Sequence, residues 1–165
     1  MNIIECIKTR RSVRNYLNQP IEPQLIEDLI EAAIWAPSGK NSQPWKFCIV
    51  NDNDKISAIS NASIYGKWMR TAPCFIVVFL DKTKAYDYVK DVQSCGAAIQ
   101  NILLSAHSSG LGACWVGEIL KNSEKVKEIL NLANAQLELM AVITIGYPQR
   151  QTVNAGRNNI LTFII

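Results

Sequence analysis

CFIVVFL, residues 74–80, is an unbroken run of β-branched, aromatic and aliphatic side chains. A short run without polar alternation belongs to a strand buried on both faces. Such a strand sits inside a sheet with helices on both sides. The flanks supply the other elements. Ile3–Thr9 reads as a short helix, and Gln19 and Pro20 mark a turn. Pro23 opens a second helix, where its missing N–H costs nothing, and Leu25, Ile26, Leu29, Ile30 and Ala33 recur at helical spacing. Pro37 ends it. Residues 46–51 read as a strand and 54–60 as a polar helix. The longest helix spans 91–109, with Gly110 as its stop, and its wide apolar set predicts cover on more than one side. Residues 113–117 are extended, 123–130 helical and 137–145 a strand. The segment 149–159 is polar and loop-like, and 160–165 is apolar and strand-like, with no local partner. A segment of that kind pairs with another chain. The pattern predicts an α+β or mixed α/β fold.

The 165 residues are 48% hydrophobic and 19% charged, a composition for one globular domain over 1–165 rather than a disordered chain. A net charge of +3 is too mild to mark a nucleic-acid binder. The run at 74–80 falls far short of the ~20 apolar residues of a membrane helix. Glu5 and Lys8 interrupt the place where an export signal would be apolar. Cysteines at 6, 48, 74, 95 and 114 form no CxxC pair, which argues for reduced thiols in a cytoplasm and against a disulfide framework or zinc site. One histidine, His107, leaves no histidine-rich metal site. Late in an apolar helix, it reads as structural.

Lys8, Arg10, Arg11 and Arg14 fall within seven residues, with Ser12 among them. Guanidinium forks suit phosphate oxygens, although such a run also serves as a solvated helix face. APSGKNSQPW at 36–45 packs turn residues, amides and hydroxyls between a helix and a strand, where small-molecule sites are built. It also reads as an ordinary connection. GLG at 110–112 is no dinucleotide fingerprint: Trp115 stands where the third glycine belongs, and the motif follows a helix. No P-loop occurs, and no pair of carboxylates stands out.

RRSVRNY at 10–16, APSGKNSQPW at 36–45 and GLGACWVG at 110–117 occur in that order. AAIQNILL precedes the third, and IGYP at 145–148 follows it. Together these resemble the FMN-dependent nitroreductase family over nearly the whole chain. The resemblance implies an antiparallel-rich sheet flanked by helices in an intertwined homodimer. FMN lies at the interface, and the C-terminal segment, about 149–165, reaches the partner. Arg10 and Ser12, with Arg11 beside them, then match the residues near the FMN phosphate. Arg14 faces the pyrimidine edge of the flavin. Pro37, Ser38, Gly39 and Asn41 approach it from the other subunit. Val116 and Gly117 supply backbone near N5, and Arg157 returns to the phosphate. Lys67 stands where relatives carry a basic or amide pair, and the segment at 154–157 has one basic residue where some carry two. There is little length for a lid, so an open pocket is expected. The implied activity is NAD(P)H-dependent reduction of nitro, quinone or similar acceptors by a ping-pong hydride mechanism, with NADH or NADPH as co-substrate. The alternative is an FMN-binding protein without nicotinamide turnover. No side-chain catalyst, metal, nucleic acid or membrane is implied.

Overall fold

Every residue of strand β2 (Cys74–Asp81) is buried. The computed structural model describes residues 1–133, 135–150 and 156–165. Among them, β2 pairs antiparallel with β1 (Trp45–Val50) and with β4 (Leu137–Gly146), and β4 pairs antiparallel with β3 (Gly112–Val116). The order is β1-β2-β4-β3, so β1 and β3 are the two edges.

Alternate residues of β2 face two cores, which is why its sequence shows no polar alternation. Ile76, Val78 and Leu80 pack with α2 (Pro23–Ile34) and α5 (Tyr88–Ser108). Phe75, Val77 and Phe79 pack with α3 (Asn53–Asn61), α4 (Gly66–Met69) and α6 (Ser123–Ile129). The small helix α1 (Ile3–Thr9) leans on α5 through Cys6, whose thiol faces the Leu104 carbonyl. Caps fix the starts: Asn2 accepts from the Glu5 N–H, Asp52 from Lys55 and Asp87 from Lys90. At the end of α5, Gly110 takes φ +77°, a left-handed turn that suits glycine.

The α+β fold and helices on both faces agree with the sequence expectation. The strand-like reading of 160–165 does not hold. Ile160–Phe163 is a 3-10 turn, because Asn159 captures it: the Leu161 N–H donates to the Asn159 side chain, and the Thr162 N–H and hydroxyl donate to its carbonyl. Within the polar segment at 149–159, residues 151–155 lie outside the described residues. Asp91, in the first turn of α5, is fully buried.

Candidate functional site

The basic segment after α1 runs alongside edge strand β3. Ser12 forms a parallel bridge with Ala113, and the Val13 N–H donates to the Ala113 carbonyl at 3.0 Å. Farther along, the Leu17 N–H donates to Tyr147 and the Gln149 N–H to Asn15. The Tyr16 hydroxyl, buried, donates to the Val13 carbonyl at 2.6 Å and meets the Thr144 hydroxyl at 2.7 Å. Along this pinned segment Val13 and Tyr16 are buried, Arg10, Arg11 and Ser12 are half-buried and Arg14 is exposed. Gly112 permits the approach, since a Cβ there would stand 2.7 Å from Val13 Cγ2.

Two openings follow. Toward α1, Arg10, Arg11, Lys8 and Arg157 line a cleft of about 500 Å³ with Gln100, and no carboxylate stands among its described lining residues. Burial first, then the charges of Arg11 and Arg157, hold Arg10 below its usual value. Arg11 is committed locally: its Nη1 donates to the carbonyls of Lys8 and Arg10, capping α1. Toward the other end, Arg14, Trp68, Tyr65, Val116 and Gly117 line a cleft of about 520 Å³ with Glu118. The Arg14 guanidinium lies 5.9 Å from the Trp68 ring centroid. The Glu118 carboxylate accepts from the Ser63 hydroxyl at 2.7 Å and the Ile64 N–H at 3.3 Å, tying the turn after β3 to the turn before α4. A Cβ on Gly117 would meet no atom within 4 Å, so this gap is unfilled by the chain itself.

Arg10, Ser12, Arg14, Val116, Gly117 and Arg157 thus gather along the β3 edge. Pro37, Ser38, Gly39 and Asn41 do not join them. Their loop leads into β1, the opposite edge, three strand spacings or about 14 Å away. Lys67 is exposed and lines neither cleft; its neighbour Trp68 lines the second. Sequence reasoning passed over Trp68, Tyr65 and Glu118; the WM pair of a four-residue helix carries too little periodicity to show which side faces in. His107 does not sit among apolar residues alone: its Nε2 meets the Thr9 hydroxyl at 2.8 Å, and burial first, then the charges of Arg10 and Arg11, lower its pKa.

A model of the nitroreductase family matches residues 7–66 and 60–147. A protein of Archaeoglobus fulgidus, provisionally named NADH dehydrogenase/NAD(P)H nitroreductase, is 37% identical over 151 residues, covering 88% of this chain and 86% of its own. A solved nitroreductase from Desulfovibrio desulfuricans, also provisionally named and in complex with FMN, is 35% identical with a TM-score of 0.94, covering 100% of this chain and 96% of its own. An FMN-dependent nitroreductase of Clostridium difficile is 28% identical with a TM-score of 0.82 and covers 93% and 92%.

Proposed function

Because the chain belongs to the nitroreductase family, we propose that it passes electrons from NAD(P)H to small flat acceptors, such as nitro compounds and quinones, in a ping-pong cycle at an FMN site shared by two copies of the chain. The enzyme class, an NAD(P)H-dependent flavin oxidoreductase with FMN as cofactor, comes with the family.

The residues fit that cofactor. A cleft lined by Lys8, Arg10, Arg11 and Arg157, with no carboxylate among its described lining residues, suits a phosphate dianion, and an anion there would offset the burial and the Arg11 and Arg157 charges that lower Arg10. The second cleft offers an aromatic wall, a guanidinium and the open backbone at Val116–Gly117, which suits a flat polar ring. The observation that carries this reading is the single segment, pinned to β3 at Ser12, that puts Arg10 in the cationic cleft and Arg14 in the Trp68-walled one.

The chemistry that FMN would supply there, when bound, is hydride acceptance from the dinucleotide and electron delivery to the acceptor. Arg10, Ser12 and Arg157 would grip its phosphate end. Arg14 would hold the ring end and set positive charge where negative charge accumulates, an electrostatic contribution already in place before reaction. Gly117 leaves room for close approach to the backbone.

The placement of the Pro37–Asn41 loop favours a two-chain site. It lies too far from its own Arg14 cleft to line it, and a second copy brings its loop there. Exposed apolar residues suit the same assembly: Ile3, Ile4 and Ile7 on α1, Trp35 after α2, and Ile160, Leu161 and Phe163 near the end.

The test is the absorbance of the purified protein under anaerobic conditions. The expected result is a flavin spectrum that NADH or NADPH bleaches and a quinone or nitro compound restores, with parallel initial-rate lines when both substrates vary. A colourless protein that takes up no FMN, or a bound flavin that neither dinucleotide bleaches, overturns the reading.

A further inference from the structure

Three non-glycine residues in the loop before β1 take left-handed backbone: Lys40 at φ 54°, Asn41 at φ 55° and Gln43 at φ 47°. Such a cluster is uncommon and persists only where the surroundings hold it. Tyr86 is the holder. The edge of its ring abuts Gly39 so closely that a Cβ there would overlap Tyr86 Cε1. Its own backbone N–H donates at 2.8 Å to the fully buried Asp91 carboxylate, which also accepts from the Asp87 N–H at 2.9 Å. The Lys40 ammonium stands 4.6 Å from the Tyr86 ring centroid, and that of Lys90 stands 5.1 Å away. Lys90 is already paired with Asp87 at 3.2 Å, and Lys82 with Glu138 at 3.5 Å. Among the described residues, Lys40 has no carboxylate within ion-pair distance.

We infer that Lys40, held over Tyr86, is the residue that recognises the phosphate-bearing half of the dinucleotide hydride donor at the partner subunit's cleft. The inference rests on the proposed function, in which this loop completes the site of the second copy. Of the two substrate classes there, only the dinucleotide is strongly anionic. A single ammonium is a point charge, suited to a phosphate in several orientations. The aromatic ring beneath it restricts the side chain before the ligand arrives, which lowers the ordering cost of binding.

The test uses the FMN-loaded protein and two hydride donors: NAD(P)H, and an uncharged N-benzyl dihydronicotinamide that lacks the phosphates. Lys40→Gln is expected to raise the apparent KM for NAD(P)H about fivefold at low salt, the scale of one partly exposed charge contact, and to leave the uncharged donor unchanged. The difference should shrink as salt is added. NAD(P)+ binding to the oxidised holoenzyme, followed by calorimetry, should weaken by the same factor. Tyr86→Leu should act in the same direction, and Tyr86→Phe, which keeps the ring, should not. Flavin absorbance reports that each variant remains folded and loaded. A wild-type protein that neither donor reduces overturns the proposed function and this inference with it. Where both donors reduce the wild type, an unchanged NAD(P)H KM in Lys40→Gln, or an equal loss with both donors, overturns the inference alone.

Discussion

Arg10 and Arg14 stand four residues apart on the same segment, yet their surroundings give them separate tasks. Arg10 lies among other cations in a cleft with no carboxylate among its described lining residues. Arg14 rests against Trp68 beside the open backbone at Gly117. Arg10→Ala should therefore cost FMN occupancy on purification. Arg14→Ala should keep most of the cofactor and slow its reduction by NAD(P)H, by roughly tenfold to a hundredfold if Arg14 stabilises developing charge. Stopped-flow bleaching separates the two, and an unchanged reduction rate in Arg14→Ala removes that role. His107 offers a second residue-scale outcome. Burial first, then Arg10 and Arg11, lower its pKa in the folded chain. The unfolded chain then takes up the proton first as pH falls, so stability is full above the ordinary imidazole value and declines below it toward the folded value. Melting temperature should drop between pH 7.5 and pH 5.5 in the wild type, and drop less in His107→Asn. Equal pH slopes in the two proteins would mean that His107 is not responsible. Gly112→Ala places a Cβ 2.7 Å from Val13 Cγ2, on a segment bonded to β3. It should lower unfolding stability by about 1–3 kcal/mol, as overpacking does, measured by urea titration.

At the scale of elements, what the sequence discloses depends on whether an element's neighbours leave a pattern in it. β2 is legible because both its faces are buried, and so its apolar run is continuous. α2 is legible because one face is: Ile26, Leu29 and Ala33 are buried at helical spacing. α5 starts at Tyr88 rather than near 91, since Asp87 is the cap, whereas Asp91 turns inward to bind the backbone of the preceding turn. Two aspartates four apart look alike in sequence and differ only in which N–H groups they reach. The edge placement of the two halves of the candidate site was not legible at all. It follows from the order β1-β2-β4-β3, a long-range pairing that no local pattern encodes. The joint between α2, α5 and the sheet is open to a direct measurement. Leu29 is 1% exposed in that core. Leu29→Ala should destabilise by about 2–5 kcal/mol through lost burial and a residual cavity. A change under 1 kcal/mol in urea unfolding would show that α2 is loosely seated.

For the whole molecule, the apolar surface that the chain leaves uncovered is the telling feature. Single exposed apolar residues are ordinary, but a stretch of them on a segment that captures no partner of its own is not. Ile160, Leu161, Phe163, Ile164 and Ile165 are all at least 64% exposed, and no strand or helix of the described chain covers them. Asn159 shapes the turn at their start without burying any of them. In the proposed dimer this segment lies against the second copy, not far along the chain from Arg157, which stands in the Arg10 cleft. Assembly and cofactor binding are then coupled: loosening the segment loosens both. Burying one such side chain is worth about 1.5–3 kcal/mol. Removing residues 160–165 should therefore cost at least about 3 kcal/mol of dimer stability, about a hundredfold in dissociation constant. Analytical ultracentrifugation over a dilution series should show monomer appearing at higher concentration in the shortened chain. Flavin absorbance in the same samples should fall with the dimer fraction. A shortened chain that stays dimeric on dilution and keeps its FMN would mean that the segment covers nothing in the assembly, and the two-copy site would have to be held by the apolar faces of α1 and Trp35 alone.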